Sequence, residues 1–163
     1  MLLKSHDARF TVVVARIRMR ELLARCARAG RNETGGILVG LYSADRECAT
    51  VTEIVSAPDD SESGRAWFHR GIRDLAKRLS TLWRGSTPTY YVGEWHFHPF
   101  ASPIASAQDM WQLGSIARDD RYRCPEPILL IVGGNPKKDW QIAAYVATAS
   151  EVITLHEQGK SDA

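Results

Sequence analysis

The run Tyr90-Tyr91-Val92-Gly93-Glu94-Trp95-His96-Phe97-His98-Pro99 constrains this chain more than any other. Its aromatic and β-branched content makes Thr89 to Phe97 strand-like. Residues two apart on a strand project from one face, so His96 and His98 point the same way while Phe97 enters the opposite layer. The chain then bends through Pro99 and Pro103 and offers Ser106 and Asp109 at the start of a predicted helix, which puts both side chains over one turn. If that turn folds back on the strand end, His96, His98 and Asp109 bring two nitrogens and one oxygen together, the three-protein-ligand set of an open catalytic zinc site. Each half also has a plainer reading. His-x-His on an apolar strand occurs as a structural or surface accident, and Ser-x-x-Asp is a capping arrangement at a helix N-terminus.

The rest of the chain alternates strands and helices. Phe10 to Val14 reads as a strand, and a helix is predicted from Ile17 to Ala29, stopped by Gly30. Gly35 to Tyr42 reads as a buried strand with Thr50 to Val55 as its partner, and Pro58 to Gly64 as a loop. Ile72, Leu75, Leu79 and Leu82 recur at helical intervals, giving a second helix from Gly71 that ends near Gly85. A third helix is expected over Ser106 to Ala117, then strands over Ile128 to Val132 and Trp140 to Ala147, and a polar end at 158–163. The order implies an α/β (α+β) chain: one domain over 1–163, its core within 10–147, built as a mixed β-sheet flanked by about three helices.

Composition excludes several classes. At 163 residues, 44% hydrophobic and 25% charged with a net charge of +2, the chain is one globular unit rather than a solvating one. Its purely apolar runs, such as Ile128 to Val132, are far short of the roughly 18–20 residues of a membrane span. The first residues lack the unbroken apolar segment of a signal peptide, so a cytoplasmic protein without membrane contact is expected. Cys26, Cys48 and Cys124 form no C-x-x-C pair and read as buried hydrophobes in a reducing compartment. Residues 1–31 hold eight Lys or Arg against Asp7 and Glu21, a net +6, while the other 132 hold 13 against 17, a net −4. No aromatic interleaves with the arginines of residues 16–31 to stack bases, so the basic stretch reads as a solvated helix face and nucleic acid is not the expected partner.

His-x-His-Pro, six residues, then Ser-x-x-Asp is a joint pattern that resembles the JAMM (MPN-plus) metalloprotease signature. Glu33 ahead of Gly35-Gly36-Ile37-Leu38-Val39-Gly40 matches its upstream glutamate, and the resemblance covers about residues 10–147. It implies an MPN/JAB fold and one zinc per chain held by His96, His98 and Asp109. Glu33 would be the general base that later protonates the leaving amine, and Ser106 would hold the oxyanion. It further implies a hydrolase that cleaves after the C-terminal glycine of a ubiquitin-like protein, freeing it from a conjugate or precursor. Among family members the chain is most similar to bacterial JAB peptidases encoded beside activating- and conjugating-enzyme homologues, as in CBASS-type antiphage operons. The substrate tail is expected to add as a strand to a sheet edge beside the zinc. Phe97 stands where eukaryotic members usually have Ser or Thr, so contacts at that edge need not be ubiquitin-like.

Other readings stay open at this point: a peptidase maturing a sulfur-carrier protein, a RadC-like nucleic-acid-associated protein, and a non-catalytic MPN scaffold, which the intact Glu33, His96, His98, Ser106 and Asp109 oppose. Glu94 shares the strand face of the histidines, so it either orients an imidazole or is simply structural. His69 reads as structural, and Trp95, Trp111 and Trp140 as core or rim packing. His156-Glu157 starts like a zincin helix but has Lys160 where the second histidine belongs.

Overall fold

The computed structural model describes residues 1–65, 68–71 and 73–159, with Phe68 and His69 described as backbone only. Among the described residues, ten strands and three α-helices follow in the order β1 (Leu2–Ser5), β2 (Thr11–Val14), α1 (Arg16–Ala29), β3 (Thr34–Tyr42), β4 (Cys48–Ser56), β5 (Glu62–Ser63), β6 (Phe68–His69), α2 (Leu75–Trp83), β7 (Tyr90–Pro99), α3 (Ala107–Arg118), β8 (Ile128–Gly134), β9 (Trp140–Ala147) and β10 (Val152–Glu157). Ile72 and the polar residues 160–163, both assigned places in the sequence reading, lie outside the described residues.

The mixed α and β character holds, but the sheet is not open. Eight strands close into a barrel in the order β1-β10-β9-β8-β7-β3-β4-β2. β1 closes it by pairing antiparallel with both β2 and β10, and only β2–β4 and β7–β8 run parallel. The mixed sheet flanked by about three helices that the sequence suggests is thereby corrected to a closed barrel, because β1 and β10 were not read as strands. Closure narrows where a substrate tail could add as a strand: a barrel has no edge strand, and among the described strands β5 and β6, paired with each other alone, have free edges.

One apolar cluster draws on all eight barrel strands, with Leu3, Val12, Leu38, Val51, Trp95, Leu130, Ala144 and Leu155 among its members, and is therefore the barrel interior. α1 adds Met19, Leu22 and Cys26 to it. Residues of opposite parity face outward, where Leu129 and Ile131 of β8 meet Leu113 and Ala117 of α3. Ile37 and Val39 of β3 meet Leu75 of α2 and Ile116 of α3. Cys48 is only half-buried, unlike Cys26 and Cys124.

β7 departs from strict alternation. Leu38 opposes Gly93 and Val39 opposes Tyr91, so Val92 is a bulged residue. Val92 joins Trp95 in the barrel interior, while Tyr91 lies on the outer face with Ile37 and Val39. Gly93 is required here. Its φ is +153°, and a Cβ would sit 2.0 Å from the carbonyl oxygen of Ile128 on β8. After the bulge, Trp95 and Phe97 point inward, which leaves Glu94, His96 and His98 on the outer face.

Candidate metal centre

His96 and His98 reach the outer face because the apolar side chains beside them, Trp95 and Phe97, fill the barrel; Phe97 is fully buried and contributes nothing to the face that carries the histidines. Past Pro99 the chain turns at Phe100, a non-glycine residue at φ +59°. The loop is pinned to the end of β8 by Phe100 N–H donating to the Gly134 carbonyl (3.1 Å) and Gly134 N–H donating to that of Ala101 (2.8 Å). The return leads into α3, whose N-terminus is a capping box. The Ser106 hydroxyl accepts from Asp109 N–H at 3.1 Å, and the Asp109 carboxylate accepts from Ser106 N–H at 2.8 Å.

These elements bring together three of the residues singled out from sequence. His96, His98 and Asp109 each offer a ligand atom, and those atoms lie within 4.8 Å of one another. Among the described residues this is the one such group of three or more His, Cys, Asp or Glu side chains. Two imidazole nitrogens and a carboxylate oxygen, all half-buried, suit zinc in a three-protein-ligand site. A groove of about 760 Å³ between α2 and the end of β4 shares no residue with the group.

Asp109 is tightly held. Its Oδ2 accepts from Ser106 N–H and from the Ser106 hydroxyl (2.7 Å), and its Oδ1 lies 2.9 Å from His96 Nδ1. Burial works against its charge, but the His96 and Ser106 hydrogen bonds outweigh it and keep the carboxyl well below the usual range. For His96 burial likewise opposes the charged form. The Asp109 and Glu94 carboxylates prevail, pushing its pKa up to about 9. Ser106 is exposed and its hydroxyl proton goes to Asp109, so in this structure it acts as cap and carboxylate clamp.

Glu33 sits just before β3, half-buried, with its N–H donating to the Gly64 carbonyl at 2.8 Å. Burial and the Asp109 charge raise its carboxyl above the ordinary value, against the pull of His98 and His96. Glu33 is thus a carboxylate of raised proton affinity within electrostatic reach of His96, His98 and Asp109.

Sequence reasoning missed what surrounds Glu94. This carboxylate, 2% exposed, accepts from Arg70 Nε (3.1 Å) and Nη2 (2.7 Å), from Tyr91 Oη (3.3 Å) and from Gln112 Nε2 (2.9 Å). An acidic residue within an apolar strand was the one signal available. Arg70, in the segment after β6, had none. Of the tryptophans, Trp95 is core, while Trp111 is 71% exposed on the solvent side of α3.

The family described as prokaryotic homologs of the JAB domain matches residues 17–144. The chain is 42% identical over 154 residues to a CD-NTase/cGAS isopeptidase of Enterobacter hormaechei subsp. hoffmannii, covering 94% of this chain and 84% of that one. It is 28% identical over 134 residues to a probable metalloprotease of Sinorhizobium fredii, covering 80% of each. A solution structure of a Desulfitobacterium hafniense protein shares the fold at a TM-score of 0.64 and 19% identity, over 88% of both chains.

Proposed function

The chain belongs to the family of prokaryotic JAB-domain homologs, and from that membership we propose that it is a zinc-dependent isopeptidase. The bond it opens would join a ubiquitin-like protein, or a CD-NTase/cGAS-type protein as the name of the Enterobacter relative suggests, to its target through a C-terminal glycine. The observation that carries this reading is the convergence of His96, His98 and Asp109 within 4.8 Å, with Glu33 in electrostatic reach of all three.

His96, His98 and Asp109 would hold one zinc ion, which when bound lowers the pKa of a water toward about 7 and polarises a carbonyl. Everything else falls to the chain. Glu33, its proton affinity raised by burial, accepts the proton of the attacking water and delivers it to the leaving lysine amine, so that an acid and an amine leave with atoms balanced. The Ser106 hydroxyl would support the oxygen of the attacked carbonyl by exchanging its present acceptor, Asp109 Oδ2, for that oxygen. Asp109 keeps the Ser106 N–H bond throughout. Among the described residues no helix is long and apolar enough to cross a membrane.

The test is the zinc-loaded full chain incubated with fusions that end in the C-terminal glycine of a ubiquitin-like or CD-NTase/cGAS-type protein. Cleavage after that glycine is expected, and Glu33→Gln should lower it about 10²- to 10⁴-fold with zinc and substrate binding retained. A Glu33→Gln chain that cleaves at the wild-type rate refutes the general-base role, and one that loses zinc makes Glu33 a ligand.

A further inference from the structure

Resting on the reading of His96, His98 and Asp109 as a metal centre, we infer that Glu94 is a positioning residue: its carboxylate, clamped by Arg70 and Gln112, holds the His96 imidazole in line with Asp109. Glu94 precedes His96 by two residues on one face of β7. Its Oε2 lies 3.8 Å from His96 Nε2, at ion-pair distance, while Nδ1 of the same ring lies 2.9 Å from Asp109 Oδ1. The imidazole thus stands between two carboxylates, one at each nitrogen. With the nitrogen facing Asp109 turned toward the other ligand residue, the remaining nitrogen faces an acceptor that would fix ring orientation and favour one tautomer.

The clamp joins three parts of the chain. Gln112 lies three residues after Asp109 on α3 and donates to Glu94 Oε2 at 2.9 Å, tying the helix that delivers the carboxylate ligand to the strand that delivers the imidazoles. Arg70, from the segment after β6, occupies Oε1 with two N–H donors. Both oxygens are therefore engaged and the residue is 2% exposed, which sets Glu94 apart from the half-buried Glu33 and suits it to holding a neighbour in place. Stability does not account for the arrangement. A buried ion pair is commonly replaceable by apolar residues of similar volume at little or no cost to stability. Placement beside a ligand histidine is the property that an apolar replacement would lose.

Two variants of the full chain decide the matter. Arg70→Met/Glu94→Leu removes both charges together, so neither is left stranded. Glu94→Gln is isosteric and keeps an acceptor for Arg70. In both, zinc affinity measured by competition with a chromophoric chelator should fall about 10- to 100-fold, and the visible spectrum of the cobalt(II)-loaded chain should shift. The melting temperature of the metal-free double variant should stay within a few degrees of wild type. Wild-type zinc affinity with an unchanged cobalt spectrum overturns the inference, and Glu94→Gln alone suffices if the double variant fails to fold. His96→Ala reports separately on the metal centre. If it retains zinc, the metal-centre reading fails, and if it loses zinc while both Glu94 variants keep it, only the positioning role fails.

Discussion

Ser106→Ala separates two roles that the structure joins in one hydroxyl. The substitution deletes the acceptor for Asp109 N–H (3.1 Å) and the donor to Asp109 Oδ2 (2.7 Å), but it leaves the backbone bond from Ser106 N–H to the same Oδ2 (2.8 Å). Loss of an N-cap costs about 1 kcal/mol, within a range of about 0.5–2. For a domain of this size that lowers the melting temperature by about 2–4 °C per kcal/mol, a fall of a few degrees. Because Asp109 keeps one of its Ser106 bonds and its contact with His96, zinc should remain near one per chain. The kinetic effect has a different size. Removing one donor to the carbonyl oxygen lowers kcat by about 10- to 1,000-fold, whereas a capping defect in a still-folded chain leaves the specific activity close to wild type. The assay is single-turnover cleavage of a glycine-terminated fusion by zinc-saturated protein, alongside calorimetric melting and elemental analysis of zinc. Ser106→Ala should lose both melting temperature and kcat, and Ser106→Thr, which keeps a hydroxyl, should restore both. Wild-type kcat at full zinc occupancy refutes the oxyanion role, and an unchanged melting temperature refutes the energetic value assigned to the capping box.

His96→Ala and Asp109→Ala should each lose most of the zinc, since a three-ligand site cannot spare one ligand; full occupancy by elemental analysis in both would show the ligand set to be wrong. Gly93→Ala should cost at least about 3 kcal/mol, because strain at positive φ adds to a Cβ placed against backbone, here 2.0 Å from the Ile128 carbonyl oxygen; a urea midpoint near wild type would count against the bulge geometry. The metal-free chain should lose stability as pH rises. Its His96 is raised from 6.5 to about 9, so the stabilisation it gives is complete below pH 6.5 and is lost as pH climbs through about 9. Asp109 is lowered from 3.8 and so contributes above that pH, losing its effect only under stronger acid. Zinc affinity should move the opposite way to the alkaline loss, rising with pH as His96 gives up its proton. A flat urea midpoint from pH 6.5 to 9.5, or the same slope in metal-free His96→Ala, would refute the link to this pair.

Much of the fold was legible because local pattern and tertiary outcome agree. α1 begins at Arg16 and ends at Ala29 with Gly30 at φ +69° beyond it, as the arginine-rich amphipathic spacing and the glycine stop predict. β3, β4, β8 and β9 fall on apolar runs bounded by turns. The closing strands were not legible, for a physical reason. β1 is four residues, Leu2-Leu3-Lys4-Ser5, and buries only Leu3 and Ser5 on one side, a pattern too short for a period-2 signal. β10 buries only Leu155. Their pairing with each other is a long-range event, Leu3 opposite Glu157, and no local property of either segment contains it.

The centre itself divides along the same line. Strand parity pairs His96 with His98 and capping chemistry pairs Ser106 with Asp109, both readable locally, while the return at Phe100, pinned to Gly134 at the end of β8, brings the two pairs together. The network on Glu94 is different. Strict alternation would put Tyr91 and Glu94, three residues apart, on opposite faces of β7. The bulge at Val92 reverses the parity before Gly93, so the Tyr91 hydroxyl reaches the Glu94 carboxylate at 3.3 Å. Arg70 arrives from 24 residues upstream and Gln112 from 18 downstream. A buried carboxylate can be suspected from its position in an apolar strand, but whether it orients an imidazole depends on which donors saturate it, and those are chosen by the bulge and by the docking of α3. The residues most exposed to misreading in this chain are therefore those one contact away from the ligands, where a single extra residue in a strand decides which side chains meet.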